Sequence, residues 1–286
     1  MSDVAPANAV KHDAPPAEDG ADLADDPVGR PKANARAAGS LRALGRKGLP
    51  ASFVLGGVTW RLVRTVKHDF WAATGFYANA AGRKAVLKMG RTTDYAGVPL
   101  EWIGRWLCQR EVRFYNKLSD LPNVPPVLGT VGTTGFVHAY VEGRPLSRDK
   151  PVPDGFFDKL HALMAELHRR GIAYVDTNKP ENILLGDDGL PHLIDFQISM
   201  DEGERLPRFL QRLAVRHFRG EDLYHVLKHK RRMRKDELTA AEIERADRKS
   251  AMVRLHRFVM KPYFLIRRRT FKRLRESGRL LPEGSN

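Results

Sequence analysis

The sequence predicts an α+β fold with a β-rich front and a mainly helical back, and three stretches carry that expectation. Residues 57–90 alternate apolar and polar side chains over VTWRLVRTV and close on the compact apolar run KAVLKM, the two-residue period of strands. Residues 155–170 set Phe156, Phe157, Leu160, Leu163, Met164 and Leu167 on one helical face, ahead of Gly171 as a C-terminal cap. The apolar segments NILL and HLIDF flank the turn sequence GDDG, which predicts a hairpin of two brief strands.

Taken in order, residues 1–45 are rich in Ala, Pro, Asp and Gly, with few large apolar side chains, so burial cannot offset the entropy of ordering. A disordered acidic tail is expected there. Between the two front strands, HDFWAATGFY reads as a loop of small residues flanked by aromatics. Trp102, Trp106, Leu107, Val112, Phe114, Tyr115 and Leu118 then recur at near-helical spacing until SDLPNVPP stops the helix. Trp102 and Trp106, four residues apart, are expected to pack between that helix and its lobe. TTGFVHAYV reads as a strand closed by the turn EGRP, and the chain beyond about residue 203 reads as helical and basic. No internal repeat is present.

At 286 residues, 42% hydrophobic and 29% charged, the chain can bury one sizeable core or two small lobes. Its one cysteine, Cys108, excludes an internal disulfide framework and a Cys-based zinc cluster, which places the expected compartment in the reducing cytoplasm. The N-terminus has no basic start followed by an apolar run, and no stretch approaches the roughly 18 uninterrupted apolar residues of a membrane span, so neither a secretory leader nor a span is expected. His138, His161, His168 and His192 form no pair at metal-ligand spacing, so no zinc site is expected.

The net charge of +15 is uneven: residues 1–40 hold four Lys and Arg against seven Asp and Glu, and residues 201–286 hold 24 against 12. A basic excess of this kind attracts polyanions. In the run RLHRFVMKPYFLIRRRTFKRLRE, large apolar residues interleave with Arg and Lys. Three readings stay open for it: packing on the helical lobe, an anionic membrane surface met through residues 249–276, or nucleic acid, for which no recognition motif is present. Pro262 divides the segment into expected helices over 249–261 and 263–276.

Phosphoryl transfer needs metal ions held against nucleotide phosphates, a cation on the phosphate oxygens and a carboxylate that orients the attacking hydroxyl. Asn182 and Asp195 flank the expected hairpin, which brings a neutral oxygen and a carboxylate together as a hard Mg²⁺ ion prefers. Asp176, six residues before Asn182, is the candidate base. Lys88 lies in an apolar strand, where an ammonium needs an anionic partner, and Glu111 on the following helix can supply one.

With these residues in view, the sequence resembles the protein kinase superfamily over residues 57–200. AVLK at 85–88 is similar to the strand lysine motif, REVRFY at 110–115 to the helix that carries the partner glutamate, YVDTNKPENILL at 174–185 to the catalytic loop, and IDFQIS at 194–199 to the metal-binding segment. The resemblance implies a bilobal protein-kinase-like fold, with a small lobe over 46–140 and a large lobe over 141–286. It implies ATP and Mg²⁺ as cofactors, Lys88 on the α- and β-phosphates paired with Glu111, Asp176 as base, Asn182 and Asp195 on the metal, and HAYVEG as the hinge that holds adenine, with His138 and Tyr140 in it. Ala72, Ala73, Thr74 and Gly75 would cover the phosphates.

The departures are specific. Tyr174 and Val175 stand where the superfamily's loop has histidine and arginine, and the catalytic loop is one residue longer. Alignment on KPEN would put Thr177 at the base position, but a threonine cannot accept the proton at neutral pH. Gln197 replaces a glycine, no G-x-G-x-x-G precedes Lys88, and no peptide-docking APE motif follows Asp195. This divergent layout looks like the bacterial lipopolysaccharide-core kinases and RIO-type relatives. It implies a kinase acting on a hydroxyl, a saccharide or glycolipid before a protein Ser or Thr. The rival is a pseudokinase that docks a polyanion through its basic end.

Overall fold

The computed structural model describes residues 41–95, 97–203 and 207–247. Its front part is a six-stranded antiparallel sheet made of β1 (Ser52–Leu55), β2 (Val58–His68), β3 (Ala72–Asn79), β4 (Lys84–Gly90), β5 (Val127–Val131) and β6 (Gly135–Ala139), in the order β1-β2-β3-β4-β6-β5. One helix, α1 (Glu101–Lys117), is inserted between β4 and β5. The back part contains α2 (Phe156–Arg169), the long α3 (Arg208–Met233), α4 (Ala240–Asp247) and three short antiparallel pairings. β7 (Gly143–Pro145) and β10 (Pro191–Leu193) flank β9 (Ile183–Gly186), and β8 (Ile172–Ala173) pairs with β11 (Met200–Asp201). A sheet lobe with one helix, joined through residues 140–142 to a helical lobe, is the bilobal protein-kinase-like fold.

Period two explains the sheet. Ala73, Tyr77, Ala85, Leu87 and Val137 bury one face together with Phe53 and Trp60, while Thr74, Lys88 and Phe136 share the other. Residues 41–45, expected within the disordered tail, are ordered. Ala43 and Leu44 are buried against the first face, and the Ala43 carbonyl accepts from Thr92 N at 2.9 Å. Residues 1–40 lie outside the described residues.

The expected loop HDFWAATGFY is corrected. Only residues 69–71 turn, because Asp69 Oδ1 accepts from the backbone N–H of Trp71 (2.8 Å) and Ala72 (2.9 Å), and the chain re-enters the sheet at Ala72. Strand pairing on both sides overrides the weak β preference of AATG.

In α2 the six apolar residues expected to face the core are the six that are buried. Helix α1 buries Cys108, Phe114 and Tyr115, and its start is pinned by close approach: a Cβ on Gly104 would lie 2.1 Å from the Arg91 carbonyl oxygen at the end of β4. The expected packing of Trp102 and Trp106 is also corrected, since they are 65% and 54% exposed on the outer face of α1. The turn expected at EGRP is in part strand β7, paired with β9. The expected helices at 249–261 and 263–276 lie outside the described residues. Among the described residues no helix is long and apolar enough to cross a membrane.

Candidate active site

The cleft between the two parts is organised around Lys88. Its Nζ lies 2.9 Å from Glu111 Oε1 on α1 and 2.8 Å from Asp195 Oδ1 beyond the hairpin, so one cation ties the sheet to α1 and to the helical lobe. Burial opposes a charged ammonium, yet the carboxylates of Asp195 and Glu111 outweigh it and hold the lysine pKa above its usual value. Burial also pushes the Glu111 carboxyl up to about 7, against the pull of Lys88. For Asp195 burial is again outweighed, by Lys88 above all, and its pKa is lowered. Asp195 has φ 65°, a left-handed conformation that a non-glycine residue keeps only when its surroundings hold it. The Tyr115 hydroxyl, itself buried, accepts the Asp195 N–H at 3.1 Å and supplies one such hold.

Asp176 and Asn182 come from the loop beneath. Asp176 Oδ2 accepts from Asn182 Nδ2 and from Lys179 Nζ, both at 2.7 Å, and burial raises its pKa. Because the Asn182 amide nitrogen is engaged, its Oδ1 is left as a neutral acceptor. With the loop one residue longer, the Asp176 carboxylate still meets the Asn182 side chain. Thr177 is fully buried and its hydroxyl donates to Asp222, so the residue that faces Asn182 is Asp176.

Asp222 on α3 has no sequence-level assignment, yet it organises this loop. Fully buried, it accepts from the backbone N–H of Tyr174 (2.8 Å) and Val175 (2.9 Å), from Thr177 and from His168 Nε2 at 3.2 Å. These bonds hold Val175 at φ 72°, an outlier for a β-branched residue. His229, two helical turns along, donates from Nε2 to the Thr177 carbonyl at 2.9 Å. Nothing in the sequence signals Asp222, since exposed Phe209, Leu210 and Leu213 share α3 with buried Val215, Asp222, Val226 and His229.

An aromatic column joins the two parts. Tyr174 meets Phe196 at 5.2 Å between ring centroids, Phe196 meets Tyr115 at 4.9 Å, and Tyr115 meets Phe136 at 5.6 Å and His138 at 5.4 Å. His138 is buried, and burial lowers its pKa to about 4; its Nδ1 lies 2.8 Å from the Ala139 carbonyl, so the neutral ring carries its proton there. Tyr140 packs edge-on against Phe76 at 5.0 Å, with the Arg64 guanidinium 4.8 Å over Phe76 and the Lys84 ammonium 5.3 Å over Tyr140.

Of the residues expected to cover phosphates, Thr74 lies opposite Lys88 on the cleft face. Ala73 is buried in the core behind the sheet, and a Cβ on Gly75 would meet Leu49 Cδ1 at 2.7 Å, so that glycine allows tight packing rather than approach to a ligand. Ala72 is buried at the start of β3. The chain therefore brings Lys88, Glu111, Asp176, Asn182 and Asp195 to one cleft and leaves Ala73 and Gly75 outside it.

The donor set fits a hard divalent cation. One carboxylate and one neutral amide oxygen face the same space, and among the described residues no cluster of three or more His, Cys, Asp or Glu forms a complete cage. A Mg²⁺ ion here would be completed by phosphate oxygens and water, as is usual where the substrate carries phosphates.

No family model and no curated protein matches the chain. Among solved structures it is similar to the Rio2 kinase–ADP/Mg²⁺–phosphoaspartate complex from Chaetomium thermophilum, at 17% identity and a TM-score of 0.49, covering 66% of this chain and 62% of that one. It is similar to another structure of that Rio2 kinase at 18% identity and TM-score 0.45, covering 63% and 61%, and to the BubR1 kinase domain at 15% and 0.45, covering 65% and 66%.

Proposed function

We propose that this chain is an ATP- and Mg²⁺-dependent phosphotransferase that moves the γ-phosphoryl group to a hydroxyl, with a saccharide or glycolipid acceptor preferred to a protein Ser or Thr. The observation that carries it is the Asp176 carboxylate, set against Asn182 in the cleft that Lys88 and Asp195 close. Asp176 accepts the proton of the attacking hydroxyl, and its raised pKa brings it closer to that task. Lys88, oriented by Glu111, lies on the nucleotide phosphates. Asn182 and Asp195 hold the cation, which when bound neutralises charge on the transferring group. His138 and Tyr140 stand at the base end. The missing peptide-docking motif after Asp195 supports a non-protein acceptor.

Residues 249–276 would keep the enzyme at the inner face of an anionic membrane, beside a lipid-linked acceptor. Sedimentation with anionic vesicles tests this: full-length chain pellets at low salt, and a chain ending at 248 stays in the supernatant. If both stay in solution, the membrane reading falls.

The second reading, a nucleotide-binding module without turnover, is favoured by the three-residue turn at 69–71, which offers no glycine backbone to the phosphates. Phosphate release from ATP with Mg²⁺ and with EDTA, in wild type and Asp195→Asn, separates the two. The enzyme turns over only with Mg²⁺ and only as wild type, whereas the module binds ADP and shows no metal-dependent turnover.

A further inference from the structure

Two faces of α1 do two jobs within the same turns. One presents Glu111 to Lys88. The other presents Arg110, Arg113 and Lys117, spaced i, i+3 and i+7, to the segment that follows Asp195. Arg110 Nε donates to the Gln197 carbonyl at 3.2 Å and its Nη2 to the Ser199 carbonyl. Arg113 Nη2 lies 3.6 Å from Asp201 Oδ2, and Lys117 Nζ pairs with that same oxygen.

Asp201 is held independently of α1. It is 3% exposed, lies opposite Ile172 in the β8–β11 pairing, accepts the Gly203 N–H on Oδ1 at 3.1 Å and receives the Gln211 amide of α3 on its carbonyl. A carboxylate fixed in so little solvent is costly unless cations meet it, and among the described residues the two that form its ion pairs both belong to α1. If α1 swung away, Asp201 would stay where it is, without them. The loop on the other side contributes no such cation, since Val175 precedes the catalytic carboxylate.

We infer that Asp201 is a positioning residue: a permanent carboxylate that keeps α1 docked, so that Glu111 reaches Lys88 in the unmodified chain and no phosphate has to be added to assemble the site. The inference rests on the phosphotransferase reading for its effect on turnover, and on geometry alone for its effect on α1.

The test uses the full chain as wild type, Asp201→Asn and Asp201→Glu, with hydrogen exchange followed over α1 and, as internal reference, α2. In Asp201→Asn, exchange over residues 101–117 rises about tenfold while α2 is unchanged, and kcat falls about thirtyfold with a smaller change in KM for ATP. Asp201→Glu restores most of both. Phosphatase treatment of wild type leaves both readouts where they were. Unchanged α1 exchange in Asp201→Asn, a rise shared equally by α1 and α2, or loss of activity on phosphatase treatment each overturns the inference. A wild type that transfers no phosphate would remove the phosphotransferase reading, and the exchange contrast between α1 and α2 would still decide the role of Asp201.

Discussion

The loop beneath the cleft, residues 174–182, and the hairpin turn of the sheet, residues 69–71, are held in different ways. Below, Asp222 takes two backbone N–H groups and a hydroxyl, His229 donates to a carbonyl, and the Tyr174 hydroxyl donates to Ile194 O, so that even Val175 stays at positive φ. Above, one aspartate closes a tight turn between two strands, and the aromatics there pack on one another and on Arg91. The difference teaches where geometry is demanded. On the phosphotransferase reading proposed above, the side that would aim a proton acceptor and a metal ligand is over-determined, and the side that would cover the nucleotide is a plain hairpin.

Substitutions ranked by expected effect probe that contrast. Asp176→Asn is expected to lower kcat about a thousandfold while ADP affinity, measured by calorimetry, stays within about twofold of wild type. Retained turnover would move the base elsewhere. Asp222→Ala leaves the loop's N–H groups buried without an acceptor and should cost about 3 kcal/mol in denaturant unfolding, with a fall in activity that milder conditions do not restore.

Acid should act through the column. The folded pKa of His138, about 4, lies below its ordinary 6.5, so its contribution to stability is full above pH 6.5 and is lost as pH falls toward 4. At pH 5 that loss is about 2 kcal/mol, and His138→Phe should remove this part of the slope in unfolding curves at pH 5 and 7.5. Equal slopes would break the assignment. Tyr115→Phe deletes one oxygen from the Asp195 support and is expected to cost about tenfold in kcat with little change in melting temperature. At the bottom of the ranking, Trp71→Ala on the upper turn should change KM for ATP by less than about twofold. A larger effect there would erase the contrast between the two sides.

The same contrast marks what could be read without coordinates. Lys88, Glu111, Asp176, Asn182 and Asp195 were legible because each falls within a local pattern, an apolar strand, a helix face or a hairpin flank, whose type is set by its neighbours in sequence. Asp222 was not, because it acts on Val175 from 47 residues away and only α3 packing brings it there. The strand through Ala72–Gly75 was hidden for a related reason: those residues favour a strand weakly, and β2 and β4 impose it from either side. Trp102 and Trp106 misled because helical spacing reveals a stripe without saying which way it turns.

Cys108 sits three residues before Glu111 on α1, and its solitude turns it into an instrument. It is 7% exposed, beside a surface cavity that it lines with Arg105 and Gln109, and burial pushes its thiol up to about 11, so in the docked helix little thiolate is present near neutral pH. Alkylation is then expected to be slow while α1 is docked and faster while it is away from the core. With no second thiol to confuse the signal, mass spectrometry of a single adduct over time follows changes in the docking of α1 in the native chain, and a ligand that keeps α1 in place should slow the reaction.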